Sequence, residues 1–196
     1  MQLFTNHTLE SAPEGARETI AAMQKAIGFL PNLIGTMAGA PSLVKAYAAV
    51  ASAFGDTSLS AVEQQVVLLT VSEQNECRYC MAAHSGLAKA ADISEPDLEA
   101  LRSGRTLETP KLEALRSFTR EMADSRGRVS EQDIDAFVAA GFTPAQILEV
   151  IVGIAMKTMS NFTNHVANVP LDPQFRAFEW QPASPLPEES VALAVG

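Results

Sequence analysis

Apolar residues recur at intervals of three and four along most of the first 170 positions of this 196-residue chain. This spacing puts apolar side chains on one face of an α-helix, whereas a half-buried strand would alternate at every second residue. Aromatic residues make up only 6% of the chain, while alanine, leucine and valine are abundant, which suits close packing of helices. The pattern predicts an all-α protein. Residues that commonly begin helices precede several of the apolar runs: Ser60, Ser94, Pro110, Ser130 and the Thr143-Pro144 pair.

Prolines divide the chain into a helical domain and a tail. A chain of this length with 47% hydrophobic residues can bury one substantial core, so we expect a single domain over residues 1–170. Prolines then recur at positions 170, 173, 182, 185 and 187, which predicts an extended Pro-rich tail over residues 171–196. The apolar content exceeds what one such core easily buries, so we also expect a homo-oligomer.

The charged residues argue against two classes of partner. The 23 acidic and 14 basic residues give a net charge of −9, and the basic residues form no run that could follow a phosphate backbone. We therefore expect no binding to nucleic acid. No window approaches the roughly 20 apolar residues of a membrane span, and the first seven residues lack the features of a secretory signal. These observations predict a cytoplasmic protein with no membrane partner.

The only two cysteines, Cys77 and Cys80, lie three residues apart, and His84 follows one helical turn later. On a helix turning about 100° per residue, the three side chains share one face. A helix that is capped by Asn75 and runs over about residues 76–91 would hold both sulfurs in its first turns. A helix N-terminus and a neighbouring histidine each favour a thiolate at neutral pH. The pattern therefore predicts a redox-active dithiol with His84 as its base.

Two other interpretations of the cysteines stay open. They could be small buried core residues, since free cysteine often packs as one. They could also bind zinc together with His84, but a fourth ligand would be needed and the only other histidines are His7 and His165. We predict no metal and no cofactor. For His165, hydrogen bonding within the protein is favoured over a place in a pocket.

Residues 59–92 resemble the alkyl hydroperoxidase D and carboxymuconolactone decarboxylase superfamily, through Leu59-Ser60, the apolar helix that follows, and the segment Asn75-Glu76-Cys77-Arg78-Tyr79-Cys80-Met81-Ala82-Ala83-His84-Ser85. Residues 149–165 resemble the second conserved helix of its peroxidase-related branch. The resemblance implies an all-helical, oligomeric fold whose dithiol reduces hydroperoxides and is reduced again by a thiol protein or a small thiol. It also implies that Cys80 attacks the peroxide, that Cys77 resolves the product and that His84 relays a proton. The helix N-terminus alone would instead favour Cys77 as the attacking residue.

One position departs from the family pattern. The family carries a glutamate twelve residues before its first cysteine, where this chain has Gln65, whose amide cannot accept a proton. Glu63 and Glu73 are alternative relays, although each is also expected to be a solvated or capping residue. Tyr79 could donate a hydrogen bond to a peroxide bound in a mainly apolar pocket.

The sequence thus predicts a thiol-dependent peroxidase that cycles between a dithiol and a disulfide. Two alternatives remain. One is the lactone chemistry of carboxymuconolactone decarboxylases, although those relatives do not depend on a CxxC pair. The other is a non-catalytic oligomeric redox sensor, which the amide at Gln65 makes more credible.

Overall fold

The computed structural model describes residues 3–182. Over these residues the chain forms α-helices and one short 3-10 helix, and no strand, so the predicted all-α class is confirmed. The helices are α1 (Glu14–Ile27), α2 (Asn32–Met37), α3 (Pro41–Gly55), α4 (Ala61–Gln74), α5 (Arg78–Ala90), α6 (Glu95–Arg102), α7 (Pro110–Asp124), α8 (Glu131–Ala139) and α9 (Pro144–Ala167), followed by the 3-10 helix Pro173–Phe178.

Helix α4 forms the centre of the domain, because it packs against α5, α6, α7 and α9. Every residue from Val66 to Ser72 is buried, as expected of a helix that is apolar on nearly all sides. Helix α3 packs between α1 and α9, and α5 packs between α4 and the 3-10 helix. The helix that carries the dithiol therefore lies against the core on one side and against the C-terminal part of the chain on the other.

Local capping explains where several helices begin. Ser60 accepts a hydrogen bond from the backbone of Glu63, whose carboxylate accepts one from the backbone of Ser60. Ser130 and Thr143 begin α8 and α9 with the same reciprocal arrangement, and Ser94 caps α6. Each cap satisfies backbone N–H groups that the first helical turn leaves without partners. The predicted helix starts are confirmed at these positions.

The turn between α4 and α5 differs from the prediction that Asn75 caps the second helix. Asn75 instead ends α4, Glu76 adopts a left-handed conformation with φ of 51°, and Cys77 is the N-cap of α5. The N–H of Cys77 donates to the carbonyl of Ser72 at 2.9 Å, which holds the turn closed. Cys77 therefore lies just before the helix, and Cys80 is its third residue.

Residues 171–182, which we call the C-terminal segment, pack against the domain rather than forming an extended tail. Asp172 and Trp180 are both buried, and Phe175 packs edge-on against Tyr79 with ring centroids 5.8 Å apart. The domain thus continues past the predicted boundary at residue 170. The rest of the predicted tail, residues 183–196, lies outside the described residues.

Arg102 fastens the C-terminal segment to α6. Its guanidinium donates to the carbonyls of Phe178 at 3.1 Å and Glu179 at 3.0 Å, and to the hydroxyl of Ser85 at 2.7 Å. In return, the indole N–H of Trp180 donates to the carbonyl of Arg102 at 2.6 Å. These contacts supply the polar partners that an extended tail would have found in water.

Helix α9 exposes large apolar side chains on its outer side, including Leu148, Ile151, Phe162 and Val166. Such a face is compatible with the predicted homo-oligomer, which stays a prediction. Over residues 3–182, no single helix is both long and apolar enough to cross a membrane. Helices α8 and α9 have the required length and apolar content only when taken together, and they are bent by 108° relative to each other.

Gly153 of α9 lies where three helices meet. A Cβ at this position would be 2.6 Å from Cγ1 of Val67 and 2.8 Å from Cε2 of Phe54, which is too close for carbon atoms. We expect Gly153→Ala to lower the free energy of unfolding by about 1–3 kcal/mol, the usual effect of overpacking a core, as measured by urea unfolding. Gly55→Ala is the matched control, because a Cβ there meets no atom within 4 Å. Equal losses in the two variants would contradict the packing explanation.

Candidate active site

Cys77 and Cys80 are both free thiols, and each exposes only 1% of its surface. Cys77 is the N-cap of α5 and Cys80 lies in its first turn, so the two sulfurs meet at the N-terminal end of this helix. The two thiols are close enough for each to shift the pKa of the other. The predicted dithiol is therefore assembled, and one of its thiols can donate its proton to the other.

The pKa values of the two thiols are shifted in opposite directions. Burial opposes ionisation of Cys80, but the neighbouring Cys77 thiol and the charge of Lys157 lower the pKa of Cys80 to about 5. The interaction with Cys80, together with burial, raises the pKa of Cys77. At neutral pH Cys80 is thus the thiolate and Cys77 is the protonated partner.

Lys157 of α9 supplies the positive charge near the sulfurs. Its side chain is 0% exposed, and its Nζ lies 2.7 Å from Nε2 of His84. Within residues 3–182 no carboxylate lies within ion-pair distance of it. Burying an ammonium without a counter-charge is strongly unfavourable, so a nearby thiolate stabilises it. Lys157 and the Cys80 thiolate therefore act as a buried pair of opposite charges.

His84 is a neutral ring that contacts Lys157. Its Nδ1 lies 3.0 Å from Oε1 of Gln65, an oxygen that can only accept, so Nδ1 carries the proton. Nε2 is then left as the acceptor for the ammonium of Lys157. Burial and the charge of Lys157 both lower the pKa of His84 well below its usual value. Among the described residues no hydrogen bond joins this ring to either sulfur, so the structure shows no direct contact through which His84 could act as the predicted base.

Gln65 fits this arrangement because its amide has no charge. A carboxylate in the same place would stabilise a charged imidazolium and would compete with the thiolate for the positive charge of Lys157. With an amide there, His84 stays neutral and the charge at the site is carried by Lys157. Gln65 thus orients the ring of His84 without adding a charge to the site.

Helix α9 brings further polar groups to the sulfur. Nδ2 of Asn164 donates to Sγ of Cys80 at 3.3 Å and to the carbonyl of Ser160 at 2.9 Å. The sequence contains a signal for this contribution, because polar residues recur at spacings of three and four in an otherwise apolar helix, and all of them are buried: Lys157, Ser160, Asn161 and Asn164. Sequence analysis gave none of them a role in the site.

Tyr79 is not free to donate to a peroxide as predicted. Its hydroxyl donates to the carboxylate of Asp172 and accepts from the N–H of Leu33 at 3.4 Å. Burial and the bond to Asp172 raise the pKa of Tyr79, so the phenol stays protonated. Because its single hydroxyl hydrogen is used in this way, Tyr79 attaches the C-terminal segment to α5.

The two alternative relays, Glu63 and Glu73, are paired with cations of α7. Glu63 belongs to the cap of α4 and also binds Lys111 at 2.7 Å, while Glu73 binds Arg120 at 3.1 Å. Neither carboxylate is hydrogen-bonded to the dithiol, and each has a structural partner. The geometry therefore gives no support to a relay through them.

A cavity of about 580 Å³ opens beside Cys77, and we call it the dithiol cavity. Tyr79, Asn164 and His165 line one side, and Trp180 of the C-terminal segment lines the other. His165 thus takes the pocket position that the sequence favoured less. Polar side chains predominate in the lining, contrary to the expected apolar pocket: Glu76, Arg78, Asn168, Glu179 and Gln181 complete the polar set.

A second cavity of about 670 Å³ is more apolar but contains neither cysteine. It lies between residues 3–7, α2, α3 and the outer side of α9. His7, one of the candidate zinc ligands, lines this second cavity, and its Nδ1 lies 3.0 Å from the carbonyl of Ser11. Among residues 3–182 no three His, Cys, Asp or Glu side chains are grouped so as to hold a metal ion.

The lowered pKa of Cys80 predicts the pH dependence of its reactivity. We expect the rate of alkylation of Cys80 to rise with pH through about 5 and then to stay level from pH 6.5 to 8.5, because the thiolate is already fully formed. Cys77 should add no step in this range, because its pKa is raised. Iodoacetamide modification followed by mass spectrometry measures both rates. A midpoint near 8.5, the value of an ordinary thiol, would contradict the assignment.

The sequence and fold of this chain are similar to those of known proteins. Residues 38–121 match the carboxymuconolactone decarboxylase family model, and no curated protein matches the sequence significantly. An uncharacterised peroxidase-related protein with an alkylhydroperoxidase AhpD core, from Ralstonia eutropha JMP134, is 22% identical, with a TM-score of 0.79 over 88% of this chain and 93% of that one. A peroxidase-related protein from Silicibacter sp. TM1040 is 17% identical, with a TM-score of 0.71 over 89% of this chain and 94% of that one.

The debrominase Bmp8 has the same fold. A form with one cysteine replaced by alanine, in complex with 2,3,4-tribromopyrrole, is 18% identical, with a TM-score of 0.73 over 91% of this chain and 96% of that one. These similarities confirm the predicted alkylhydroperoxidase D-like fold. They also show that proteins of this fold have more than one activity.

Proposed function

We propose that this chain, a member of the alkylhydroperoxidase D-like and carboxymuconolactone decarboxylase superfamily, is a thiol-dependent peroxidase that uses Cys77 and Cys80. One arrangement supports the proposal: two free, buried thiols lie together at the start of α5, with the pKa of Cys80 lowered to about 5 and that of Cys77 raised. A nucleophile that is ionised at neutral pH and a resolving thiol within reach are the two requirements of a dithiol peroxidase.

In the first step, the Cys80 thiolate attacks the terminal oxygen of the hydroperoxide. A sulfur–oxygen bond forms while the oxygen–oxygen bond breaks, so Cys80 is oxidised to a sulfenic acid and the hydroperoxide is reduced to an alkoxide. The alkoxide takes a proton from the ammonium of Lys157 and leaves as an alcohol. Lys157 becomes a neutral amine. His84 contacts Lys157 and not the sulfur, so we assign it as a positioning residue.

In the second step, the sulfur of Cys77 attacks the sulfenic sulfur of Cys80. The disulfide bond forms, the sulfur–oxygen bond breaks, and the hydroxide leaves with the proton of Cys77 as water. The start of α5 places the two side chains for this reaction, because Cys77 is its N-cap and Cys80 lies in its first turn. Fast resolution protects Cys80 from oxidation beyond the sulfenic acid.

An external thiol, on a protein or a small molecule, then reduces the disulfide. We assign the attack to Cys77, because this residue lines the dithiol cavity and because Cys80 leaves more readily as a thiolate of low pKa. A second external thiol releases Cys77. Two external thiols thereby become one disulfide, and their two protons return to Cys77 and Lys157.

The test is rapid mixing of the reduced protein with hydrogen peroxide and with tert-butyl hydroperoxide. We expect each peroxide molecule to consume two protein thiols and to leave a disulfide between Cys77 and Cys80, identified by peptide mapping. Reaction no faster than that of free cysteine, compared at equal thiolate concentration, would contradict the proposal.

Reductive dehalogenation is a second candidate, favoured by the structural likeness to the debrominase Bmp8. The same dithiol would convert a carbon–bromine bond to a carbon–hydrogen bond, with one disulfide formed, the proton of Cys77 transferred to carbon and one bromide released. Bromide release from 2,3,4-tribromopyrrole by the reduced protein measures this activity. Peroxide consumption without bromide release would favour the peroxidase.

The remaining alternatives have separate tests. Turnover of a carboxylated lactone by a variant with both cysteines replaced by alanine would favour decarboxylase chemistry. A change in oligomeric state between reduced and oxidised protein, without consumption of peroxide, would favour the redox sensor. Size-exclusion chromatography of both forms also tests the predicted homo-oligomer.

A further inference from the structure

We infer that Asn164 binds the hydroperoxide, its Oδ1 accepting a hydrogen bond from the O–H of the peroxide while its Nδ2 donates to the Cys80 thiolate. This inference rests on the proposed peroxidase activity and adds a substrate-binding residue to it. It concerns a side chain that sequence analysis did not single out.

Two contacts determine the orientation of the Asn164 carboxamide. Its Nδ2 donates to the carbonyl of Ser160 at 2.9 Å and to Sγ of Cys80 at 3.3 Å. Rotating the amide by half a turn would place Oδ1 against the carbonyl of Ser160 and against the Cys80 thiolate. Both of these groups are acceptors, as is Oδ1, so neither contact would be a hydrogen bond. Oδ1 therefore points away from both groups.

Oδ1 of Asn164 is a buried acceptor for which residues 3–182 provide no donor. The side chain belongs to a residue that is only 6% exposed and that lines the dithiol cavity next to Cys77. Buried polar atoms in folded proteins nearly always have a partner, so an unused acceptor at a cavity indicates a position for a donor from a ligand.

His84 and Tyr79, which also lie near the sulfurs, already have partners. Nδ1 of His84 donates to Gln65, and the hydroxyl of Tyr79 donates to Asp172. A second unpaired acceptor, Oε2, belongs to Glu76, which lines the same cavity, but this residue precedes Cys77, which holds the protonated sulfur. Of these two unpaired acceptors, the one in Asn164 belongs to a side chain that also donates a hydrogen bond to the Cys80 thiolate.

The geometry of one carboxamide brings the two reactants together. An O–H donor binds an acceptor oxygen at about 2.7–2.8 Å, and Nδ2 of the same group already holds Sγ of Cys80. The terminal oxygen of a hydroperoxide bound in this way lies beside the sulfur, where reacting atoms need to come within about 3–3.5 Å. This terminal oxygen is the atom that Cys80 attacks.

The test compares an oxidant that has an O–H donor with a thiol reagent that has none. Hydrogen peroxide and methyl methanethiosulfonate are each reacted with the wild type, Asn164→Leu and Asn164→Asp over a range of pH. The rates are compared at pH values where Cys80 is fully ionised. This limiting rate does not depend on the shift in the pKa of Cys80 that loss of the Nδ2 donor causes. We expect Asn164→Leu to lower the limiting rate with peroxide about tenfold or more, the effect of one lost hydrogen bond in the transition state. Its limiting rate with the thiosulfonate should change less than twofold.

Asn164→Asp keeps the shape of the side chain and an acceptor oxygen. It should raise the pKa of Cys80 through its negative charge but recover most of the limiting rate with peroxide. Thr163→Ala, on the neighbouring position of α9, is the matched control, because its hydroxyl bonds only to the carbonyl of Met159 within the helix. Thermal melting of each variant establishes that it is folded.

Three results would overturn the inference. They are an unchanged limiting peroxide rate in Asn164→Leu, an equal loss with both reagents, and a loss in Glu76→Gln that is absent in Asn164→Leu. A wild-type protein that reacts with peroxide no faster than an ordinary thiol would overturn the proposed function itself. That last result appears in the unmodified protein, so the two failures are distinguishable.

Discussion

Cys80→Ser is expected to abolish the fast reaction with hydroperoxide, whereas Cys77→Ser is expected to preserve it for a single turnover. The reason is the opposite shift of the two pKa values, which makes Cys80 the thiolate and Cys77 the proton donor at neutral pH. Serine at position 77 keeps a hydroxyl that can donate to the thiolate, so Cys80 should remain ionised. Without a second thiol, however, the sulfenic acid cannot become a disulfide.

Stopped-flow consumption of hydrogen peroxide measures the first step, and trapping with dimedone followed by mass spectrometry identifies the sulfenic acid. Cys77→Ser should consume one equivalent of peroxide and then stop, with dimedone attached to Cys80. Cys80→Ser should react no faster than a buried ordinary thiol. The reverse pattern, with dimedone attached to Cys77, would favour the order of attack that the helix N-terminus alone suggested.

The helix starts could be predicted because their signals are local. Ser60 and Glu63 lie three residues apart and cap the same turn, so neither depends on the rest of the fold. The spacing of Cys77, Cys80 and His84 is local in the same sense. Asn75 was predicted as a cap by the same reasoning, but the left-handed turn at Glu76 moved the start of α5 by two residues.

The partner of His84 could not be predicted, because it comes from a distant part of the sequence. Lys157 lies 73 positions after His84 and reaches the site only because α9 packs against α4 and α5. A lysine in a long helix is usually solvated, so composition argued against a buried ammonium. The role of Gln65 could not be fully predicted for the same reason, because its uncharged amide matters only next to the ring of His84, which Lys157 keeps neutral.

The C-terminal segment was predicted as a tail because proline ends regular helices. Pro173 instead begins a 3-10 helix, where its missing N–H is not needed. Asp172 then accepts hydrogen bonds from Tyr79 and from the backbone N–H of Asn32 at 3.1 Å. These partners lie 93 and 140 positions away, and no pattern within the segment indicates them.

Lys157→Met tests the largest contribution that the sequence did not reveal. Methionine keeps the length and apolar stem of the side chain but removes its charge, which is one of the causes of the lowered pKa of Cys80. We expect this pKa to rise from about 5 toward the ordinary value near 8.5, which would leave roughly a thirtieth of Cys80 ionised at pH 7. The rate with hydrogen peroxide at pH 7 should therefore fall roughly thirtyfold or more, as measured by stopped flow.

The pH dependence of Lys157→Met separates the two roles of the ammonium. Because Cys80 becomes fully ionised above its raised pKa, the loss of thiolate should disappear by about pH 9.5, and any deficit that persists there measures the missing proton donor for the alkoxide. Lys111→Met, which removes a lysine paired with Glu63 far from the dithiol cavity, should keep the wild-type profile. Removing one partner of a buried charge pair usually destabilises a protein, but Cys80 can take up a proton and become neutral, so we expect Lys157→Met to remain folded, as thermal melting will establish. A wild-type rate at pH 7 in this variant would show that the buried ammonium does not hold the thiolate, and the charge pairing at the site would have to be reassigned.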